Sequence, residues 1–286
     1  MLLGDNFLGV QHIGIPVTDI AGAKEWYLKK MAGSLLHEAS VPTDDGDVLV
    51  SFIGIRDITI ELYQLVGEAV AEVGRRSHGN IDHLAIDVVD TDAAIQLLRG
   101  EGVAFDPSTP GTAVELDMFW SQGVRYVFAL GPTGEKIELN QRLDLDPSRR
   151  ESNMNGWSHL GIPVSDLDRS ITYYSQFGFN QVMLAEIPQD DEAVRVAMLE
   201  RGDFLLEAYQ LVAEDLEEVR TRSDGHIDHI AFGVRDCDQA FGEVRSAGLK
   251  TLEDAPVHLP FWEKGVKYFN VRGPDGEKLE FNEKIR

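Results

Sequence analysis

The chain has 286 residues, 43% of them hydrophobic, and carries a net charge of −23. That charge excludes nucleic acid and anionic membrane surfaces as partners, because both need basic patches. No window approaches the roughly 20 apolar residues of a membrane span. The single cysteine, Cys237, cannot close an internal disulfide, and the opening MLLGDNFLGV has no basic segment before an apolar one. A reducing, cytoplasmic setting is expected.

Along the chain, HIGIPVTD (12–19) reads as a strand that runs into a helix over 19–31, with Thr18-Asp19 as its cap. LVSFIG and ITIELYQL follow as two strands around the turn residues Arg56-Asp57. GNIDHLAIDV (79–88) is the next strand, and Asp90-Thr91 caps a helix over 91–100. FWSQGVRY (119–126) and GPTGEKIELN (131–140) close this half.

The same order then returns. HLGIPVSD (159–166), LEAYQLV (206–212), RSDGHIDHIA (222–231), FWEKGVKY (261–268) and GPDGEKLEFN (273–282) repeat the earlier segments, with helices expected over 166–177 and 237–247. The offset falls from 147 to 142 residues, as loop deletions between matched elements would produce. A fainter repeat inside each half sets His12 and Asp19 against His83 and Asp90. The reading is an α+β chain of four βαβββ modules in two tandem domains, 1–143 and 156–286, joined by a polar linker at 144–155.

Strand alternation places residues i and i+2 on one face. His12 then shares a face with Gly14, Glu61 with Thr59 and Tyr63, His83 with Ile81 and Ala85, and Glu138 with Lys136 and Asn140. A polar residue at every second position is ordinary for a half-solvated strand. The duplication argues for more. His12, Glu61, His83 and Glu138 are matched in register by His159, Glu207, His229 and Glu280, one per strand. Asp82 and Asp228 turn away from the histidine face by the same alternation and are read as structural. Cys237 has no match in the first half and receives no role.

Paired βαβββ modules with H-[IL]-G-I-P-V-x-D, I-D-H-x-A and G-P-x-G-E-K-x-E resemble the vicinal oxygen chelate superfamily, which includes glyoxalase I, methylmalonyl-CoA epimerase and extradiol dioxygenases. The resemblance implies glyoxalase-like domains with curved, mixed, cup-shaped sheets. It also implies two divalent metals per chain, bound by His12, Glu61, His83, Glu138, His159, Glu207, His229 and Glu280. Two imidazoles and two carboxylates per ion suit Ni, Co, Mn or Zn, and lack the thiolates of structural zinc. An octahedral ion with four protein ligands keeps two open positions, enough for a substrate with neighbouring oxygens. The three-ligand iron oxygenases keep three.

The expected chemistry is proton transfer next to a chelated carbonyl on a small hydroxyketone, sugar or cyclitol. The resemblance to glyoxalase implies that the last-strand glutamate, Glu138 or Glu280, leaves the metal to act as base, and Glu61 and Glu207 on the other module could serve the opposite face. Lys136 and Lys278 would meet an anionic group or a neighbouring acid. Trp120 and Trp262 would wall the cups, Tyr126 and Tyr268 would contact substrate, and Arg76 and Arg222 would clamp a carboxylate or phosphate. Alternatives are an iron-dependent extradiol dioxygenase and a non-catalytic binding protein. The protein is expected to be a monomer or homodimer.

Overall fold

The computed structural model describes residues 1–149 and 152–285. Arg150 and Glu151, inside the expected linker, and the terminal Arg286 lie outside the described residues.

Four βαβββ modules follow one another. The first is β1 (Phe7–Pro16), α1 (Ile20–Lys30), β2 (Ser34–Thr43), β3 (Gly46–Ile55) and β4 (Ile58–Gln64). A short helix, α2 (Glu68–Val73), leads to the second: β5 (His83–Val88), α3 (Thr91–Gly100), β6 (Val114–Leu116), β7 (Val124–Leu130) and β8 (Lys136–Arg142). The third is β9 (Met154–Pro163), α4 (Leu167–Gln176), β10 (Asn180–Gln189), β11 (Glu192–Arg201) and β12 (Phe204–Gln210). After α5 (Leu216–Thr221) comes the fourth: β13 (His229–Val234), α6 (Cys237–Ser246), β14 (Val257–Leu259), β15 (Val266–Arg272) and β16 (Lys278–Lys284).

The four long helices begin where capping chemistry predicts. Asp19 accepts from the Gly22 N–H, Asp90 from Ala93, Asp166 from Arg169 and Asp236 from Gln239, at 2.8–3.1 Å. The short helices α2 and α5 have no counterpart among the elements expected from sequence. Six residues give too little periodicity to read.

The strands form two curled eight-stranded sheets, and each sheet takes one module from each half of the chain. One runs β14-β15-β16-β13-β1-β4-β3-β2, the other β10-β11-β12-β9-β5-β8-β7-β6. The expected linker, 144–155, therefore separates the sequence repeats but runs from β8 into β9, whose first residues Met154 and Asn155 it includes, and both strands lie in the same sheet. At the centre of each sheet two modules meet antiparallel, β1 on β13 and β9 on β5. The first strand of each module runs parallel to its last, as β1 does to β4 and β13 to β16.

One continuous apolar cluster draws on both sheets and the helices, including Ile13, Ile60, Leu84, Leu139, Leu160 and Phe281. Each of those side chains is at most 1% exposed, so each contributes roughly 1.5–3 kcal/mol of burial. Ile60, Leu139 and Phe281 alternate with the glutamates of β4, β8 and β16, so burying this face turns the carboxylates into the concavity of the sheet. No helix is long and apolar enough to cross a membrane among the described residues.

Candidate metal centres

The central antiparallel pairs bring the histidines together. In β1·β13, His12 lies opposite Ala231 and Gly14 opposite His229. In β9·β5, His159 lies opposite Ala85 and Gly161 opposite His83. Each imidazole therefore faces a residue with little or no side chain. A Cβ on Gly14 would sit 2.0 Å from the His229 ring, and one on Gly161 would sit 2.0 Å from the His83 ring. The small residue two positions from each histidine is space for the other module's imidazole. A register shift between Val10 and His12 marks a bulge in β1 just before His12, the kind of local twist that re-aims a side chain.

In the first cup, His12 Nε2 and His229 Nε2 are 3.2 Å apart. Glu61 Oε2 lies 3.3 Å from the former and 3.4 Å from the latter. Glu280 approaches them at 3.7 and 3.8 Å. The second cup repeats this with His83 and His159 at 3.3 Å, and with Glu138 Oε2 and Glu207 Oε2 each 3.3 Å from His83 Nε2. One ligand atom from each of His83, Glu138, His159 and Glu207 lies within 4.8 Å of the others, as do atoms of His12, His229 and Glu280. All eight residues are at most 9% exposed.

The electrostatics suit a cation. Burial alone would lower the His83 imidazole, yet Asp82, Glu207 and Glu138 outweigh it and hold His83 up at about 10. Burial opposes the charge of His229 likewise, and Asp228, Glu61 and Glu280 hold it up at about 10. Burial would raise Glu61, but His12 and His229 bring it down to about 2. The same contest leaves Glu138 below its ordinary value. A positive charge is strongly favoured between these carboxylates. A mixed imidazole–carboxylate set with converging Nε2 and Oε2 atoms fits a borderline divalent ion.

Asp82 and Asp228 correct the alternation argument. Both are buried against the histidine next in sequence, with Asp82 Oδ2 3.2 Å from His83 Nδ1 and Asp228 Oδ2 3.1 Å from His229 Nδ1. The regular strands start only at His83 and His229, so period-two reasoning does not extend back to the aspartates. An ionised carboxylate only accepts. Nδ1 must then carry the hydrogen, which leaves Nε2 for the cup.

Lys136 and Lys278 lie on the cup walls but are committed to these aspartates, at 3.3 and 2.6 Å. Arg76 pairs with Asp228 at 2.8 Å and Arg222 with Asp82 at 3.3 Å, and each arginine also binds a glutamate one helical turn before it. The arginines and lysines thus brace the aspartates that hold His83 and His229. Tyr126 and Tyr268 line the cups, and burial, reinforced by Glu138 and Glu280 respectively, pushes both phenols up to about 12.

The aromatic walls are Phe119 and Phe261, not Trp120 and Trp262. Both tryptophans lie in the turns before β7 and β15 and have left-handed backbone, φ 54° and 60°. They instead stack under Arg142 and Lys284. Asn140 and Asn282 complete the constellation, donating to Glu138 Oε1 at 2.6 Å and to Glu280 Oε1 at 2.8 Å. Their signal was the shared face of the last strand. The two cavities measure about 310 and 320 Å³.

A cup built from two βαβββ modules, with a His/Glu cluster at its floor, defines a class of protein. Residues 9–139 and 156–281 match the family model of the Glyoxalase/Bleomycin resistance protein/Dioxygenase superfamily, and the chain belongs to that superfamily. Glyoxalase I from Zea mays superposes with a TM-score of 0.70 at 20% identity, covering 96% of this chain and 92% of its own. A Bacillus subtilis subsp. subtilis str. 168 structure proposed to be a dioxygenase gives 0.63 at 13% identity, covering 98% and 86%. These likenesses concern the fold. The uncharacterized protein YwbC of Bacillus subtilis (strain 168) is 27% identical over 123 residues, 43% of this chain and 93% of YwbC.

Proposed function

We propose that the protein is a divalent-metal-dependent lyase or isomerase that moves a proton next to a chelated carbonyl in a small, vicinally oxygenated substrate such as a hydroxyketone, sugar or cyclitol. The observation that carries this reading is the convergence of two imidazole nitrogens and two carboxylates at the floor of each cavity. His12, His229, Glu61 and Glu280 would hold one ion, and His83, His159, Glu138 and Glu207 the other. A divalent ion there supplies Lewis-acid polarisation of a carbonyl and acidifies the neighbouring C–H.

The chain's own residues supply the proton traffic. Asn140 anchors Glu138 Oε1 and Asn282 anchors Glu280 Oε1, so Oε2 of each, the oxygen that otherwise faces the ion, would let go of it to take a proton from carbon. Glu207 and Glu61 come from the other module of each cup and face the same point, which suits return of a proton from the opposite side. Apolar walls line the cups around the transfer, Val194 and Phe119 in one and Val48 and Phe261 in the other.

The test is the double variant Glu138→Gln/Glu280→Gln, with metal content and deuterium exchange from heavy water into hydroxyketones measured side by side. Loss of exchange with both metals retained is the expected result. Undiminished exchange removes these carboxylates from the base role.

A further inference from the structure

The two cups are near copies, and one difference stands out at their floors. In the second cup, Phe128 on β7 lies directly across the ladder from Glu138, and its ring is 5.2 Å from the His83 ring. The matching position in the first cup, across from Glu280 on β15, is Asn270. Asn270 lines the cavity and is 7% exposed.

Its amide is held in one orientation. Glu253 accepts from the Asn270 backbone N–H at 2.7 Å and from Nδ2 at 2.8 Å. A carboxylate only accepts, so the nitrogen must face Glu253 and Oδ1 must face away from it. Oδ1 is fully buried and has no hydrogen-bond partner. A buried acceptor without a partner is uncommon and costly to leave unmet. The support is also confined to one cup. Leu252 and Asp106 donate their backbone N–H to the carbonyls of Asn270 and Phe128 respectively, which aligns Glu253 with Pro107, a residue unable to hold an amide.

We infer that the two cups select different substrates: the first takes a vicinal-oxygen chelator bearing an additional hydroxyl or amine donor, which Asn270 Oδ1 accepts, while the second takes the analogue with hydrocarbon at that position, against Phe128. This rests on the metal-chelation reading above and specifies the substrate class of each cup. A missing partner for a buried polar group disfavours the wrong substrate more than an apolar contact favours the right one. The polar cup should therefore discriminate more sharply.

The experiment uses the full chain loaded with cobalt(II) and titrated with lactohydroxamate or propionohydroxamate, chelators that differ by one hydroxyl, while visible cobalt absorption reports binding. The wild type should show two classes of site. One should prefer lactohydroxamate by about 3- to 10-fold, the value of one neutral hydrogen bond, and the other should prefer propionohydroxamate. Asn270→Phe, which installs the residue of the other cup, should abolish the first preference. Phe128→Asn should weaken propionohydroxamate at the second cup and leave the first class unchanged. Two cobalt ions per chain with the same hydroxamate ratio in wild type and Asn270→Phe overturn the inference and leave the metal centres standing. Failure to take up cobalt at the cups overturns both.

Discussion

Arg76 Nη1 donates to Asp228 Oδ1 at 2.8 Å across 152 positions of sequence, and Asp228 in turn holds the Nδ1 edge of His229. Arg222 does the same for Asp82 and His83 in the other cup. The loops that carry these arginines are themselves bonded. Asn80 N–H donates to Ser223 O and His226 N–H to Ser77 O, and a Cβ on Gly79 would meet the Gly225 backbone at 2.3 Å. Each candidate centre is thus braced from the connection that leads into the other. Asp228→Asn keeps the shape but removes the charge that orients His229. Metal affinity at the first cup should fall about 10- to 100-fold, with the second cup unchanged, as equilibrium dialysis against a chelator would reveal. Equal weakening of both cups would contradict the assignment of Asp228 to one.

Gly14→Ala tests the close approach of the modules. The added methyl would occupy space held by the His229 ring, and that ring is held in place through Nδ1 by Asp228. Overpacking of this kind costs about 1–3 kcal/mol. The expected outcome is a modest loss of thermal stability, with metal content falling from two to one per chain. Gly161→Ala should produce the mirror result, with His83 displaced. Two metals retained in either variant would show that the imidazole can move aside without losing its role.

Much of this site was legible in the sequence because a strand's period of two is a local property. Glu61 and Glu138 each sit between buried apolar neighbours, and the second half repeats the pattern. The pairing of modules was not legible. Every first strand of a half carries His-x-Gly and every second-module strand carries His-x-Ala, so β1 can accommodate β5 as well as β13. Which one it meets is decided by the packing of whole sheets. Asp82 and Asp228 were misplaced because the residue before a strand does not obey its alternation. Trp120 and Trp262 were misplaced because each Phe-Trp pair lies in the turn before β7 or β15, where no strand period decides which ring faces the cup. The glutamate of G-P-x-G-E-K, Glu135 or Glu277, received no role, although it is more deeply buried than the glutamate of the strand that follows it.

That glutamate gives a pH prediction. Glu277 is 1% exposed, and the Tyr174 hydroxyl donates to it at 2.6 Å. Burial is the dominant influence and raises its carboxyl from 4.5 to about 7, against the lowering effect of Tyr174 and two backbone N–H groups. The folded chain therefore binds this proton more tightly than the unfolded chain. The stabilisation is complete below pH 4.5, declines as pH rises, and is gone above about 7. The span corresponds to roughly 3 kcal/mol. Glu277→Gln should flatten that part of the stability profile, measured by urea unfolding between pH 4.5 and 8. A slope identical to that of the wild type would mean that the carboxyl ionises without cost.

Metal removal should destabilise the chain in two separable steps. In each cup the carboxylates are gathered around a point that favours positive charge, so an ion bound there stabilises only the folded state. At a free concentration 100 times the dissociation constant, that linkage is worth about 2.7 kcal/mol per site. Saturation with nickel or cobalt should therefore raise the melting temperature by several degrees, and a chelator should reverse the gain. His12→Ala removes one ligand of the first cup, and His159→Ala one of the second. Each should keep about half of the stabilisation, and the pair should keep none. Additivity is expected because the mutated side chains share no contact. A melting temperature indifferent to the ion in the wild type would mean that the eight side chains gather without binding it.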